Sequence, residues 1–135
     1  MRRCNTGYQD GMYQTVAGHL EMNELPTDAL IRESWEEVRI KIARRDVKLV
    51  HVSARPAYDK TGNRSDLFFL VTRWKGVPVI GEKKKCDDLR WVSPRKLPKN
   101  TTPHVREGLR LAFKGIVYSE FTEAWVRAQP EYGLK

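Results

Sequence analysis

Cysteine is scarce. Cys4 and Cys86 are the only two among 135 residues, and their separation fits no spaced metal motif. They read as free thiols of a reducing compartment rather than as a disulfide, although two thiols leave one bridge open. Long apolar runs are absent, which excludes a membrane-spanning helix, and the first residues lack the apolar stretch of a secretory signal. The expected location is therefore the cytoplasm. No internal repeat or low-complexity tract is present, which excludes solenoid and tail-like architectures. Acidic residues are in deficit, 17 against 25 lysines and arginines, for a net charge of +8. That balance points to a polyanionic partner: nucleic acid, a nucleotide or an acidic membrane surface. The basic residues are scattered, however, at Arg2-Arg3, Arg44-Arg45, Lys83 to Lys85, Arg106 and Arg110. No nucleic-acid-binding motif accompanies them.

What remains is an ordinary soluble composition, 40% apolar and 31% charged, which at this length suits one domain spanning residues 1–135 with a single core. The densest chemistry lies between Ala17 and Ile40. Pro26 suits the first turn of a helix that runs to about Val38, and Asp28 lies where the helix dipole favours an anion. At 100° per residue Ile31, Ser34, Trp35 and Val38 share one face, while Glu33, Glu36 and Glu37 share the opposite one. Three such carboxylates form either a solvated helix face or a hard-cation site, since Mg²⁺ or Mn²⁺ relieves their mutual repulsion.

The rest of the chain alternates strand and helix signals. NTGYQDG (Asn5 to Gly11) reads as a turn, and Met12 to about Gly18 as a strand. A short strand is expected around Ile40 to Ile42. A buried strand is expected through Leu49 to Val52, a turn over Asp59 to Arg64, and a strand over Ser65 to Trp74 that completes a hairpin. Lys75 to Asp88 reads as a loop and Leu89 to Val92 as a short strand. A second helix opens at Pro103 with Thr102 as its cap and carries the stripe Val105, Leu109, Ala112, Phe113 and Ile116. The tail, with Phe121, Trp125 and Tyr132, is expected to add a last helical turn. His51 reads as structural and His104 as a surface residue. The pattern is that of an α/β domain with a mixed β-sheet between helices.

One spacing narrows the choice. Gly18, five residues, Glu24, seven residues, Arg32-Glu33, two residues, Glu36-Glu37 resembles the signature of the Nudix hydrolases. NTGYQDGMYQTVAGHLE, the W-x-G at Trp74, the E-x-x-K-C from Glu82, the L-x-W at Leu89 and LPKNTTP from Leu97 look like the MutT-like branch of that family. The resemblance covers roughly Arg3 to Ser119. It implies a Nudix-type α/β/α sandwich and a divalent-metal-dependent pyrophosphohydrolase that uses water to cleave a nucleoside triphosphate or another nucleoside diphosphate derivative. By resemblance Glu33, Glu36 and Glu37 bind Mg²⁺ or Mn²⁺ with the carbonyl of Ala17, and Glu36, Glu37 and Glu82 carry the catalysis. Glu24 and Arg32 form the salt bridge of the motif. Asn100 takes the base-reading position, with Tyr8 and Arg3 as further substrate contacts. A small nucleotide then accounts for the basic charge, without nucleic acid or membrane.

The chain departs from the family pattern in places. Ser34 replaces an aliphatic residue beneath the helix, and Ala17 a glycine. Leu25 replaces a capping side chain worth about 1 kcal/mol. Arg39 replaces a terminal glycine suited to the left-handed conformation. The start is short, so the sheet is expected to lack the family's usual N-terminal strand. An exposed sheet edge invites pairing, which makes a homodimer an expectation. The departures also leave an alternative open, a non-catalytic Nudix-fold module that binds or senses a nucleotide.

Overall fold

Two apolar runs, at 47–55 and 64–71, build most of the sheet. In the computed structural model, the residues described are 1–56 and 62–132. Strand β2 (Val47–Arg55) and strand β3 (Arg64–Val71) pair antiparallel from Val47↔Val71 to Arg55↔Arg64, with a bulge between Leu49 and His51. Strand β5 (Tyr118–Glu120) adds to the other side of β2 in parallel, giving a mixed sheet in the order β3-β2-β5. A separate two-stranded sheet joins β1 (Arg2–Arg3) to β4 (Cys86–Asp88).

The inward face of β2 is polar: His51, Ser53 and Arg55 are all buried, and the His51 and Arg55 side chains find partners across the sheet while the Ser53 hydroxyl finds none among the described residues. His51 is fully buried, with Nδ1 2.8 Å from Ile116 O and Nε2 3.1 Å from Ser119 Oγ. Arg55 donates to Asp66 Oδ2 at 2.6 Å. These bonds offset the desolvation that burial of polar atoms would otherwise cost. Helix α2 (Pro103–Phe113) covers β2 and β3 and comes close because Gly108 has no side chain: a Cβ there would lie 2.2 Å from Phe68 Cζ. Leu111, Phe121 and Val126 form a small core with Trp125 and Tyr132 packed against it. Val126 belongs to helix α3 (Glu123–Arg127), which Thr122 caps through Trp125 N–H.

Several expectations need correction. Met12 to Gly18 is not a strand: only Tyr13 forms bridges, to Arg2 on one side and Thr101 on the other. Leu89 to Val92 is likewise not a strand; the ladder runs earlier, through Cys86–Asp88, where β1 supplies the partner. Ile40 to Ile42 contributes one bridge, Lys41↔Lys75, and a 3₁₀ turn follows at Arg44–Asp46. The tail holds a strand, β5, as well as helical turns. The expected turn from Asp59 falls partly on residues 59–61, outside the described residues. His104 is not a surface group: its ring stacks on Tyr132, and burial pushes its pKa down to about 4. Trp35, placed on the apolar face of the first helix, is 44% exposed. Lys41 Nζ and the Arg39 guanidinium lie 5.2 and 5.5 Å from its ring, so cations cover its face.

Candidate active site

Helix α1 (Pro26–Val38) and the loop before it gather most of the acidic residues singled out by the sequence. The helix begins on Pro26 with no side-chain cap at Leu25. It ends on Arg39, whose φ of 60° lies in the left-handed region and whose N–H bonds to Ser34 O and Trp35 O. The backbone thus makes the terminal turn that a glycine would make freely, at the steric cost of a Cβ.

Arg32 ties loop to helix. Its Nε and Nη2 donate to the two oxygens of Glu24 at 2.9 and 3.0 Å, and Nη2 also to His19 O at 3.1 Å. This bidentate pair holds the Glu24 carboxyl well below its ordinary range, at about 2. Nη1 of the same guanidinium reaches Glu33 Oε1 at 2.8 Å and Glu36 Oε2 at 3.3 Å. Glu33 in turn lies against Gly18, where a Cβ would fall 1.8 Å from Glu33 Oε1. Any larger residue at position 18 would displace that carboxylate.

Glu37 points the other way. It is buried, not on a solvated face, and accepts the N–H of Ala17 at 3.0 Å. Burial pushes its pKa up to about 7, and the charges of Glu33 and Glu82 add to the rise. Glu82 reaches the helix because Gly81 lies on its last turn. Gly81 N–H donates to Glu37 O at 2.8 Å, and a Cβ on Gly81 would lie 2.1 Å from Glu36 O. Glu82 itself pairs with Lys85 at 2.8 Å.

Among the described residues no group of three His, Cys, Asp or Glu side chains converges as a preformed cation site. The reason is visible: Arg32 occupies the space between Glu33 and Glu36, and Glu37 is held by Ala17. The donor chemistry nevertheless fits a divalent cation. The donors are all oxygen, the Gly18 cradle brings Glu33 against the loop, and Glu37 is driven toward neutrality by burial first and by its acidic neighbours second. The contact observed at Ala17 uses its N–H, while its carbonyl has no bond to the acidic set.

The remaining candidates form a second cluster around the Asn5–Met12 turn. Arg3 donates to Tyr8 O, Gln14 Oε1 and Thr6 Oγ1, and its guanidinium lies 5.5 Å from the Tyr8 ring. Asn100 Nδ2 donates to Gly11 O at 2.6 Å, so this amide braces the turn. A cavity of about 480 Å³ opens between the segment from Tyr13 to Val16, the end of α1, the loop from Leu89 and helix α2, lined among others by Tyr13, Val16, Val38, Arg90, Trp91 and Leu109. Val16 and Val38 are each one residue from the acidic cluster, and the Arg90 guanidinium lies 5.0 Å from the Tyr13 ring. Sequence reasoning missed this wall, and it missed Gly81. The signal for Gly81 was a glycine immediately before the loop glutamate.

Comparison with known proteins fits this geometry. A family model described as NUDIX domain matches residues 1–112. The chain is 29% identical over 101 residues to a dihydroneopterin triphosphate diphosphatase from Haemophilus influenzae, an overlap that covers 66% of this chain and 62% of that protein. It therefore spans less than two thirds of that relative's length. Among solved structures it is similar to a MutT NUDIX hydrolase from Burkholderia pseudomallei, with a TM-score of 0.71 and 22% identity, covering 81% of this chain and 82% of the other. That likeness shows the α/β fold.

Proposed function

The chain belongs to the NUDIX domain family, and from that premise we propose that it is a divalent-metal-dependent pyrophosphohydrolase. Its substrate is a nucleoside triphosphate or another nucleoside diphosphate derivative, cleaved by water at phosphorus. The observation that carries this reading is the acidic helix held to its loop: Glu33 against Gly18, Glu37 against Ala17, and Arg32 bonded to Glu24.

Glu33, Glu36 and Glu37 would hold Mg²⁺ or Mn²⁺, helped by the Ala17 carbonyl. Such an ion neutralises charge on phosphoryl oxygens and makes water more acidic. The chain's own residues do the rest. The Glu24–Arg32 pair fixes the loop to the helix, so the carboxylates keep their spacing. Glu37, whose pKa is raised to about 7 in the metal-free chain, would give up its proton to hold the cation. Glu82, on the loop anchored at Gly81, is a second carboxylate within its field. Lys83 to Lys85 attract the polyphosphate. The apolar cavity takes the heterocycle, with Tyr13 and Trp91 in its wall offering faces for stacking. Arg3 and Tyr8 lie at the neighbouring turn, and Asn100 reads the base only if it leaves Gly11. Dihydroneopterin triphosphate joins the nucleotides as a substrate to test because the Haemophilus influenzae relative carries that name.

One observation favours the second reading, a nucleotide-binding module without turnover. Arg32 neutralises Glu33 and Glu36 within the chain itself. A panel of nucleotides and pteridine triphosphates with Mg²⁺ and Mn²⁺, scored separately for pyrophosphate and phosphate, decides between the two. Metal-dependent turnover that Glu36→Gln and Glu37→Gln nearly abolish supports the hydrolase. Saturable binding with no turnover selects the module.

A further inference from the structure

Arg39 is a residue that the backbone accepts at a cost. Its φ of 60° lies in the left-handed region, where glycine is free and a Cβ crowds a carbonyl oxygen. A glycine would make the same turn without strain, so what the chain gains here is the side chain. Its Cζ lies 5.5 Å from the centre of the Trp35 ring, four residues earlier, in a cation–π contact. Nη2 lies 3.5 Å from Gly81 O, the long limit of a hydrogen bond, and Nε is 3.0 Å from where a Cβ on Gly81 would stand. Arg39 thus joins the end of α1 to the residue immediately before Glu82.

The segment 75–82 is tied at both ends to the end of α1 and the residues after it. Lys75 and Lys41 exchange backbone hydrogen bonds of 2.9 Å, and a Cβ on Gly76 would be 3.2 Å from Arg39 O. Val79 N–H donates to Val38 O at 3.1 Å and Gly81 N–H to Glu37 O at 2.8 Å. These donors satisfy carbonyls that the end of a helix leaves without partners. Apolar burial holds the middle of the segment weakly, since Val77 is 79% exposed and Val79 51%. The carbonyls of a helix end also carry partial negative charge. No basic residue lies in the last turn of α1, so the Arg39 guanidinium supplies the complementary cation.

We propose that Arg39 is a positioning residue: braced on the Trp35 ring, its guanidinium holds the backbone at Gly81 and so sets where the Glu82 carboxylate stands relative to Glu36 and Glu37. The value of Glu82 rests on the hydrolase reading above; the clamp itself rests on the contacts at the end of α1. Without the guanidinium the backbone bonds at Val79 and Gly81 remain, but they lie in a segment with little apolar burial and open more often. Glu82 then spends less time within the field of Glu37. The exposed Trp35 ring gains a use as well, as a flat rest for the guanidinium.

The test compares the full wild-type chain with Arg39→Gly and Arg39→Lys, by amide hydrogen exchange at Val79 and Gly81 and by turnover of GTP and of dihydroneopterin triphosphate with Mg²⁺. Arg39→Gly is expected to speed exchange at both amides by at least about 10-fold with no fall in melting temperature. It is also expected to lower kcat by at least about 10-fold with KM within about twofold. Arg39→Lys keeps a cation on the Trp35 ring and is expected to restore part of both losses. Exchange that Arg39→Gly leaves unchanged overturns the proposal. So does a raised KM at unchanged kcat, which would mean that Arg39 meets the substrate itself. Faster exchange spread evenly over the chain overturns it too, because the effect would then be general destabilisation. Should the wild-type chain turn over neither compound, or Glu82→Gln turn over as fast as wild type, the hydrolase reading of Glu82 fails, while exchange at Val79 and Gly81 still decides whether Arg39 holds the segment.

Discussion

Replacing Glu37 by glutamine should make the metal-free protein more stable, most of all in mild alkali. In the folded chain this carboxyl is nearly buried, and its pKa rises from 4.5 to about 7 through burial and the fields of Glu33 and Glu82. The folded state therefore binds a proton more tightly than the unfolded state. The resulting stability is complete below about pH 4.5 and is lost as pH climbs through about 7. Forcing the group to ionise in the fold costs about 3 kcal/mol, at about 1.4 kcal/mol per pH unit between the two states. Glutamine is neutral at every pH and still offers an oxygen to the Ala17 N–H, which lies 3.0 Å from Glu37 Oε2. Denaturant unfolding with a chelator should show wild-type stability falling between pH 5 and pH 8 by up to that amount. The Glu37→Gln profile should lack the fall. Adding Mg²⁺ should restore stability at pH 8 to the wild type and not to the variant. A wild-type profile as flat as that of the variant would refute the argument, because the carboxyl would then not feel the environment described.

Other perturbations test separate parts of the structure. Gly18→Ala pushes a methyl into Glu33, whose Oε1 would be 1.8 Å away; metal-dependent turnover should drop by at least about 10²-fold, the scale that a misplaced catalytic group costs, with the melting temperature little changed. Arg39→Gly relieves a left-handed residue at φ 60°, worth about 1–2 kcal/mol, against about 0.5–1 kcal/mol of added unfolded-state entropy; thermal melting should show no loss of stability. Gly108→Ala forces the Phe68 ring aside from a 2.2 Å contact and should destabilise by about 1–3 kcal/mol, seen as a lower denaturant midpoint with turnover per folded molecule retained.

The parts of the fold legible in the sequence were those with a local cause. Pro26 and Pro103 mark helix starts because their missing N–H groups are unneeded there, and both helices begin on them. The β2–β3 hairpin follows from two apolar runs. What was not legible depends on a distant partner. Met12 to Gly18 has strand-forming residues but obtains only single bridges at Tyr13, since the strand beside it, β1, is two residues long. Tyr118–Glu120 carries no strong strand signal as sequence and becomes a strand because Ala54 O and Val117 O lie in position to bond across to Phe121 N–H and Val52 N–H. His104 has nothing nearby in sequence to predict its burial, which Tyr132 supplies from 28 positions on.

At the site itself, residue types were readable and their directions were not. Helical geometry put Glu33, Glu36 and Glu37 on one side, yet the structure divides them. Glu33 and Glu36 turn to Arg32, while Glu37 turns to the backbone of Ala17. A helical wheel cannot show this, because the dividing force comes from the loop. Glu24 fixes the position of Arg32, and Gly18 opens the space that Glu33 fills. The glycine and the loop glutamate thus act on the acidic helix as positioning residues, and their value lies in where they leave its carboxylates. A cation that enters must compete with the Arg32 guanidinium for Glu33 and Glu36 and with a proton for Glu37. Metal affinity should consequently rise with pH through the Glu37 titration, as titration calorimetry with Mn²⁺ between pH 6 and pH 8 can show; affinity that stays constant over that range would place the cation away from Glu37.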